Sequence, residues 1–190
     1  MSGFSKLWVQ WQRWVWTGAI ALLLVLGWAN PAMASLTDDH YDGDIFPLYA
    51  GNGYLVPPKV TLAQAFQRTN YPTVLSFYVD DSSDCKQFSA VLSTVEAYYG
   101  KVVDILPIRV DSLPVKDQYD STEPGYYYSG QVPQTIIFDK DNTILFNEVG
   151  NIPYERMDDV LREVFDLLPR EESVELKRRV VNEINTELVK

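Results

Sequence analysis

Pro72-Thr-Val-Leu-Ser-Phe-Tyr-Val79 runs directly into Asp80-Asp-Ser-Ser-Asp-Cys-Lys86. The first stretch is rich in β-formers and apolar at nearly every position, as a strand buried on both faces is. The second supplies a polar turn followed by Cys85-Lys86-Gln87-Phe88, where a helical pattern begins. A strand feeding a turn and then a helix start is the setting of a dithiol redox site, which needs two thiols at C-x-x-C spacing. Cys85 is the only cysteine in the chain, and Ser82 occupies the first thiol position. A hydroxyl cannot attack a disulfide, and one thiol cannot hold two electrons within the molecule. The layout is that of a redox site, while the chemistry excludes ordinary dithiol exchange.

Outward from this stretch, Thr61-x-x-Gln64 is a capping box that predicts a helix over 61–69 with Leu62, Ala65 and Phe66 inward. A second helix is expected from Cys85 to Tyr99, closed by Gly100, and the next strand over Val102–Val110. Residues 111–131, with Pro114, Pro124, Gly125, Gly130 and three consecutive tyrosines, read as loop. Gln134–Phe138, the turn Asp139–Asn142 and Thr143–Phe146 form a β-hairpin. An amphipathic helix follows over Tyr154–Leu168, ended by Pro169, and a charged final helix over about Glu171–Val189. Strands separated by helices become parallel neighbours and the hairpin adds antiparallel ones, so the fold class is α/β: a mixed central sheet with helices on both faces, plus an added C-terminal helix.

The first 34 residues read as an export segment. Lys6 and Arg13 precede Trp14–Trp28, an apolar stretch without charge, and Ala32-Met33-Ala34 gives the small-x-small cleavage pattern before Ser35. The alternative is a retained membrane anchor, which would hold the domain on the far side of the bilayer. Removal of residues 1–34 lowers the net charge of −10 by a further two. So acidic a domain is a poor ligand for nucleic acid or anionic lipid, and its expected partner is a protein client. Residues 35–59 read as an extended, solvated leader. Its Asp38, Asp39, His40, Asp42 and Asp44 match no calcium-loop spacing, and neither a metal nor a cofactor is expected. His40 is the sole histidine and lies far from Asp80–Asp84 in sequence, so paired-carboxylate catalysis has no base beside it.

The matched landmarks make residues 60–168 resemble the thioredoxin fold. Phe77-Tyr78 matches the aromatic pair ahead of the redox motif, Cys85-Lys86 the second cysteine and its lysine, Val132-Pro133 the element before the next strand, and Gly150 a strand-closing glycine. The resemblance implies a cis Pro133 and a client-binding groove beside it. It also marks departures: Ser82 replaces the nucleophile, Asp81 the preceding tryptophan, Asp84 the intervening proline, and Ser76 the buried proton-relay aspartate. More narrowly, the chain is similar to a cyanobacterial family of thylakoid-membrane thioredoxin-like proteins implicated in photosystem I accumulation. That resemblance implies a binding or assembly factor on the lumenal side, not a dithiol enzyme.

The candidate binding residues are therefore Ser82, Ser83, Asp84, Cys85, Tyr126, Tyr127, Tyr128, Val132 and Pro133. For each a plainer role competes. Ser82, Ser83 and Asp84 suit a helix cap, Cys85 a small buried hydrophobe, and the tyrosines packing on their own domain. A monothiol oxidoreductase or isomerase using Cys85 is the rival function. The stripe Val174, Val181, Ile184 and Leu188, beside Lys177, Arg178 and Arg179, predicts a helix face that docks on the domain or on a partner.

Overall fold

The computed structural model describes residues 34–173 together with Trp14 and Trp16. Nearly all of the expected export segment, and the residues beyond a short 3-10 turn at Arg170–Glu172 over which a final helix is expected, lie outside the described residues. The chain divides into two units, Met1–Ala34 and Ser35–Lys190, and the second carries the fold that follows.

Four strands make one sheet: β1 Thr73–Tyr78, β2 Asp104–Arg109, β3 Gln134–Phe138 and β4 Ile144–Val149. Their order is β2-β1-β3-β4, with β1 parallel to β2 and the other pairs antiparallel. β1, every residue of which is buried, is central, as its unbroken apolar run requires. The edge strand β2 carries Pro107, which has no N–H to offer a foreign strand. This topology is the thioredoxin-like arrangement that the resemblance implies.

Among the described residues four α-helices cover the sheet: α1 Ile45–Tyr49, α2 Leu62–Ala65, α3 Ser83–Tyr99 and α4 Tyr154–Val164. One core cluster joins α1, α3 and α4 through Phe46, Cys85, Phe88, Leu92, Val95, Met157 and Leu161. On the other face a smaller cluster joins Leu62 and Ala65 of α2 to Leu75, Phe77, Ile136 and Phe138. Helices thus lie on both faces. The Thr61–Gln64 capping box forms with both reciprocal bonds, Gln64 N–H to Thr61 Oγ1 at 3.2 Å and Thr61 N–H to Gln64 Oε1 at 2.9 Å.

Three expectations need correction. The helix expected over 61–69 spans only Leu62–Ala65, with Phe66 as its C-cap. The amphipathic helix ends at Val164, not Leu168: Asp166 takes a left-handed φ of 53°, and Leu167 N–H turns back to Arg162 O. Leu167 and Leu168 are therefore exposed. The largest correction concerns residues 35–59, which are not an extended solvated leader. Asp44 caps α1 by accepting from Phe46 N–H at 3.0 Å, and a 3-10 turn follows at Gly53–Leu55. Ile45 and Phe46 are each 1% exposed, and the Phe46 ring meets Tyr78 edge-on at 5.1 Å. Burying two such side chains stabilises by about 1.5–3 kcal/mol each. That apolar gain, absent from the acidic run Thr37–Asp44, seats the segment on the domain.

Candidate functional site

Antiparallel pairing sets Phe77 opposite Gln134. The turn after β1 and the Val132-Pro133 element before β3 therefore emerge at the same end of the sheet. Val132 packs against both core clusters, the one holding Cys85 and the one holding Tyr127 and Tyr128. Cys85 and these two tyrosines thus lie with the clusters on opposite faces of the sheet, linked through Val132.

Ser82 is the N-cap of α3. Its backbone is extended (φ −102°, ψ 125°) and its Oγ accepts from Cys85 N–H at 3.3 Å, satisfying one of the helix's free donors. Cys85 is fully buried. Burial pushes its thiol upward and the charges of Asp84 and Asp81 add to that, against hydrogen bonds to the Val79 backbone and Ser82. The thiol is accordingly neutral at physiological pH, and a neutral thiol is a poor nucleophile. Asp84 lies in the first turn of α3, where a carboxylate complements the helix dipole. Ser76, at the position of the proton-relay carboxylate, is buried and shares a 3.4 Å hydroxyl contact with Thr135.

Two acids around this turn, Asp39 and Asp80, are engaged. Asp39 Oδ1 accepts from Ser83 N–H at 2.8 Å, so a carboxylate from upstream caps α3 a second time. Asp80, 5% exposed, takes Ile45 N–H on Oδ1 at 3.3 Å and faces Arg109 Nε through Oδ2 at 2.6 Å. That Nε is off-line for a hydrogen bond, so the contact is an ion pair. Burial raises the Asp80 carboxyl, and the Arg109 charge opposes the rise.

Lys86 holds a role that the sequence alone did not reveal. It has no exposed surface, and its Nζ donates to Ser35 O at 2.9 Å, Asp38 O at 3.1 Å, Asp38 Oδ1 at 3.0 Å and Asp42 Oδ2 at 2.9 Å. Tyr49 Oη closes the knot by donating its one hydrogen to Asp42 Oδ2 at 2.5 Å, with Ser35 O at 3.1 Å as the second acceptor within reach. A buried ammonium requires such partners, because desolvation alone would drive off its proton. Bonds from Tyr49 and Lys86 hold the Asp42 carboxyl well below its usual range.

The three tyrosines divide. Tyr127 packs on Phe138 at 5.0 Å and on Phe66 at 6.4 Å, and Tyr128 on Phe77 at 5.2 Å, so both serve their own domain. Tyr126 meets the Tyr127 ring edge-on at 4.9 Å and is 58% exposed. Gln134, fully buried, anchors the loop: its Oε1 accepts from Ser129 N–H at 2.8 Å, and its Nε2 donates to Tyr127 O at 3.0 Å and Asn147 Oδ1 at 2.9 Å. Sequence reasoning passed over Gln134. A polar side chain opening an otherwise apolar strand was the available signal.

The Val132–Pro133 peptide is cis, and Pro133 O accepts from Gly150 N–H at 2.7 Å. Among the described residues no hydrogen bond engages the Val132 backbone N–H or C=O. Those two groups can pair with an extended segment laid alongside, as an added strand does. Among the described residues no group of His, Cys, Asp and Glu could hold a metal ion. A cavity of about 490 Å³, bordered by Leu62, Ile108, Leu113 and Tyr119, includes none of the predicted site residues.

No family model matches the chain. The chain is 49% identical over 180 residues to the thylakoid membrane protein slr1796 of Synechocystis sp., covering 90% of this chain and 89% of that one. Among solved structures it is similar to a malarial protein (TM-score 0.41, 17% identity, 50% of this chain and 97% of that one). It is also similar to thioredoxin-2 from the malaria parasite protein secretion machinery (TM-score 0.41, 19% identity, 50% and 85%) and to the germline-specific thioredoxin Deadhead of Drosophila (TM-score 0.39, 17% identity, 50% and 81%).

Proposed function

Since this chain belongs to the family of the Synechocystis thylakoid membrane protein slr1796, we propose that it is a thioredoxin-like binding and assembly factor of the thylakoid membrane, without dithiol activity. It holds an unassembled protein segment on the lumenal side and so supports photosystem I accumulation. The observation that carries this reading is the state of Cys85: fully buried, with its thiol pushed upward by that burial, behind a Ser82 hydroxyl committed to capping α3. The Val132 peptide groups, unpaired among the described residues, and the exposed Tyr126 ring support a non-covalent grip, since backbone pairing supplies affinity and a rigid aromatic supplies contact area.

Affinity capture from solubilised thylakoid membranes tests the role. Photosystem I subunits should co-purify with the tagged chain and be lost with Tyr126→Ala. Recovery of soluble thiol enzymes instead would favour the rival monothiol oxidoreductase. An insulin-reduction assay separates the two directly: it should be silent with or without Cys85→Ala here, and cysteine-dependent for the rival.

A further inference from the structure

The segment Ser35–Tyr49 crosses the start of α3 and is fixed there at three points. At its upstream end Ser35, Asp38 and Asp42 surround the buried Lys86 Nζ, with Tyr49 returning to close the same knot. Over the first turn of α3, Asp39 accepts from Ser83 N–H. At its downstream end Ile45 and Phe46 enter the apolar cluster that contains Cys85, and α1 packs against α3 more extensively than α4 does. Asp44 reaches Arg109 Nη2 at 3.2 Å, and Ile45 N–H reaches Asp80. Between the charged knot and the apolar plug stands Gly43, at φ 130°, a conformation other residues rarely adopt.

We propose that Ser35–Tyr49 is a shielding strap: the Lys86 knot and the Ile45–Phe46 plug seat it over Cys85 and the start of α3, and its release, not global unfolding, is what uncovers the thiol. The sheet and the α3–α4 packing do not pass through the strap, so it can lift as a unit while the rest of the fold persists. In a chain with one cysteine, exposure would permit disulfides only with other molecules. A seated strap prevents them. Lifting of the strap does not depend on what binds beside Pro133.

The test is N-ethylmaleimide labelling of Cys85 in the full-length chain in detergent, followed by mass spectrometry. The same chain in guanidinium gives the rate for an open thiol. Native protein should label at least about 100-fold more slowly than the unfolded reference, and Lys86→Met or Tyr49→Phe should label about tenfold faster than wild type, as local opening demands. Asp158→Asn, which weakens the domain on α4 and not in the strap, should lower Tm without that acceleration. Should Lys86→Met fail to fold, Tyr49→Phe carries the test alone. The strap is overturned if native Cys85 labels as fast as the unfolded chain, if Tyr49→Phe labels no faster than wild type, or if Asp158→Asn accelerates labelling as much as the strap variants do.

Discussion

Ser82 and Cys85 show how one substitution moves a position from chemistry to architecture. With a thiol at 82, the first side chain of the motif would be the attacking group; with a hydroxyl, it is an acceptor for Cys85 N–H. Restoring sulfur should not restore catalysis. Ser82→Cys is expected to leave insulin reduction at background, because the proton-relay position still holds Ser76 against Thr135 and Asp39 still lies over the turn. The same variant loses a cap and should cost about 0.5–2 kcal/mol in a denaturant titration. A rate approaching that of an active thioredoxin would overturn this view. Cys85→Ala, by contrast, removes a buried sulfur and nothing reactive. It should cost on the order of 1 kcal/mol and leave client capture unaltered. Both roles were legible from sequence, since a serine before a helix and a lone cysteine three residues later carry local signatures. Lys86 and Gln134 were not, because their partners lie 44–51 and 5–13 residues away and no short pattern announces them.

Among the helices, α3 and α4 were visible as amphipathic runs, and β1, β3 and β4 as apolar or alternating stretches. The ordered strap was hidden because four aspartates within Asp38–Asp44 look like a linker until a buried cation is placed among them. The five-residue run Ile45-Phe-Pro-Leu-Tyr49 was the only local hint. The early end of α4 was hidden for a related reason. Arg162 Nη1 donates to Leu168 O and Ser173 Oγ, while Arg170 Nη2 stands 2.8 Å from Asp158 Oδ2, so the chain folds back to meet a buried acid. Asp158 also accepts from Tyr99 Oη at 2.5 Å, Tyr154 Oη at 2.9 Å and Arg162 Nε at 2.7 Å. Burial would raise its carboxyl, but these bonds prevail and hold it below its ordinary value. Asp158→Ala strands the Tyr99 hydroxyl and frees two arginines that remain partly solvated. The expected loss is on the order of 3 kcal/mol by denaturant unfolding, less than for a fully enclosed pair. Asp159→Ala, at the exposed neighbour, should change stability by less than about 1 kcal/mol.

Across the chain, two groups of carboxylates make opposite demands on pH. Asp38, Asp39, Asp42 and Asp158 are held below the ordinary value of 3.8, respectively by Lys86, by Ser83, by Tyr49 with Lys86, and by the Tyr99 cluster against its own burial. A lowered carboxyl gives stability that is fully present above its unfolded value and is lost as pH falls through the folded one. Asp80 and Asp104 are raised, burial outweighing the Arg109 and Arg68 charges beside them. For these the sign reverses: the folded state binds the proton more tightly, so stability increases as pH descends through the raised value. The net charge of −10 acts in the same direction, since acidification relieves self-repulsion. Tm should therefore rise as pH descends through the raised Asp80 and Asp104 values and fall as pH drops below 3.8, where the lowered carboxyls take up protons. Circular-dichroism melts across that range check the curve, with wild type and Asp80→Asn compared in the same buffers. Asp80→Asn removes one raised carboxyl while leaving Arg109 its partner Asp44, so the rise should be smaller and the acid-side fall unchanged. A Tm that declines steadily from pH 8 downward would mean that the salt-bridged acids alone govern the molecule and that the burial of Asp80 and Asp104 carries no weight.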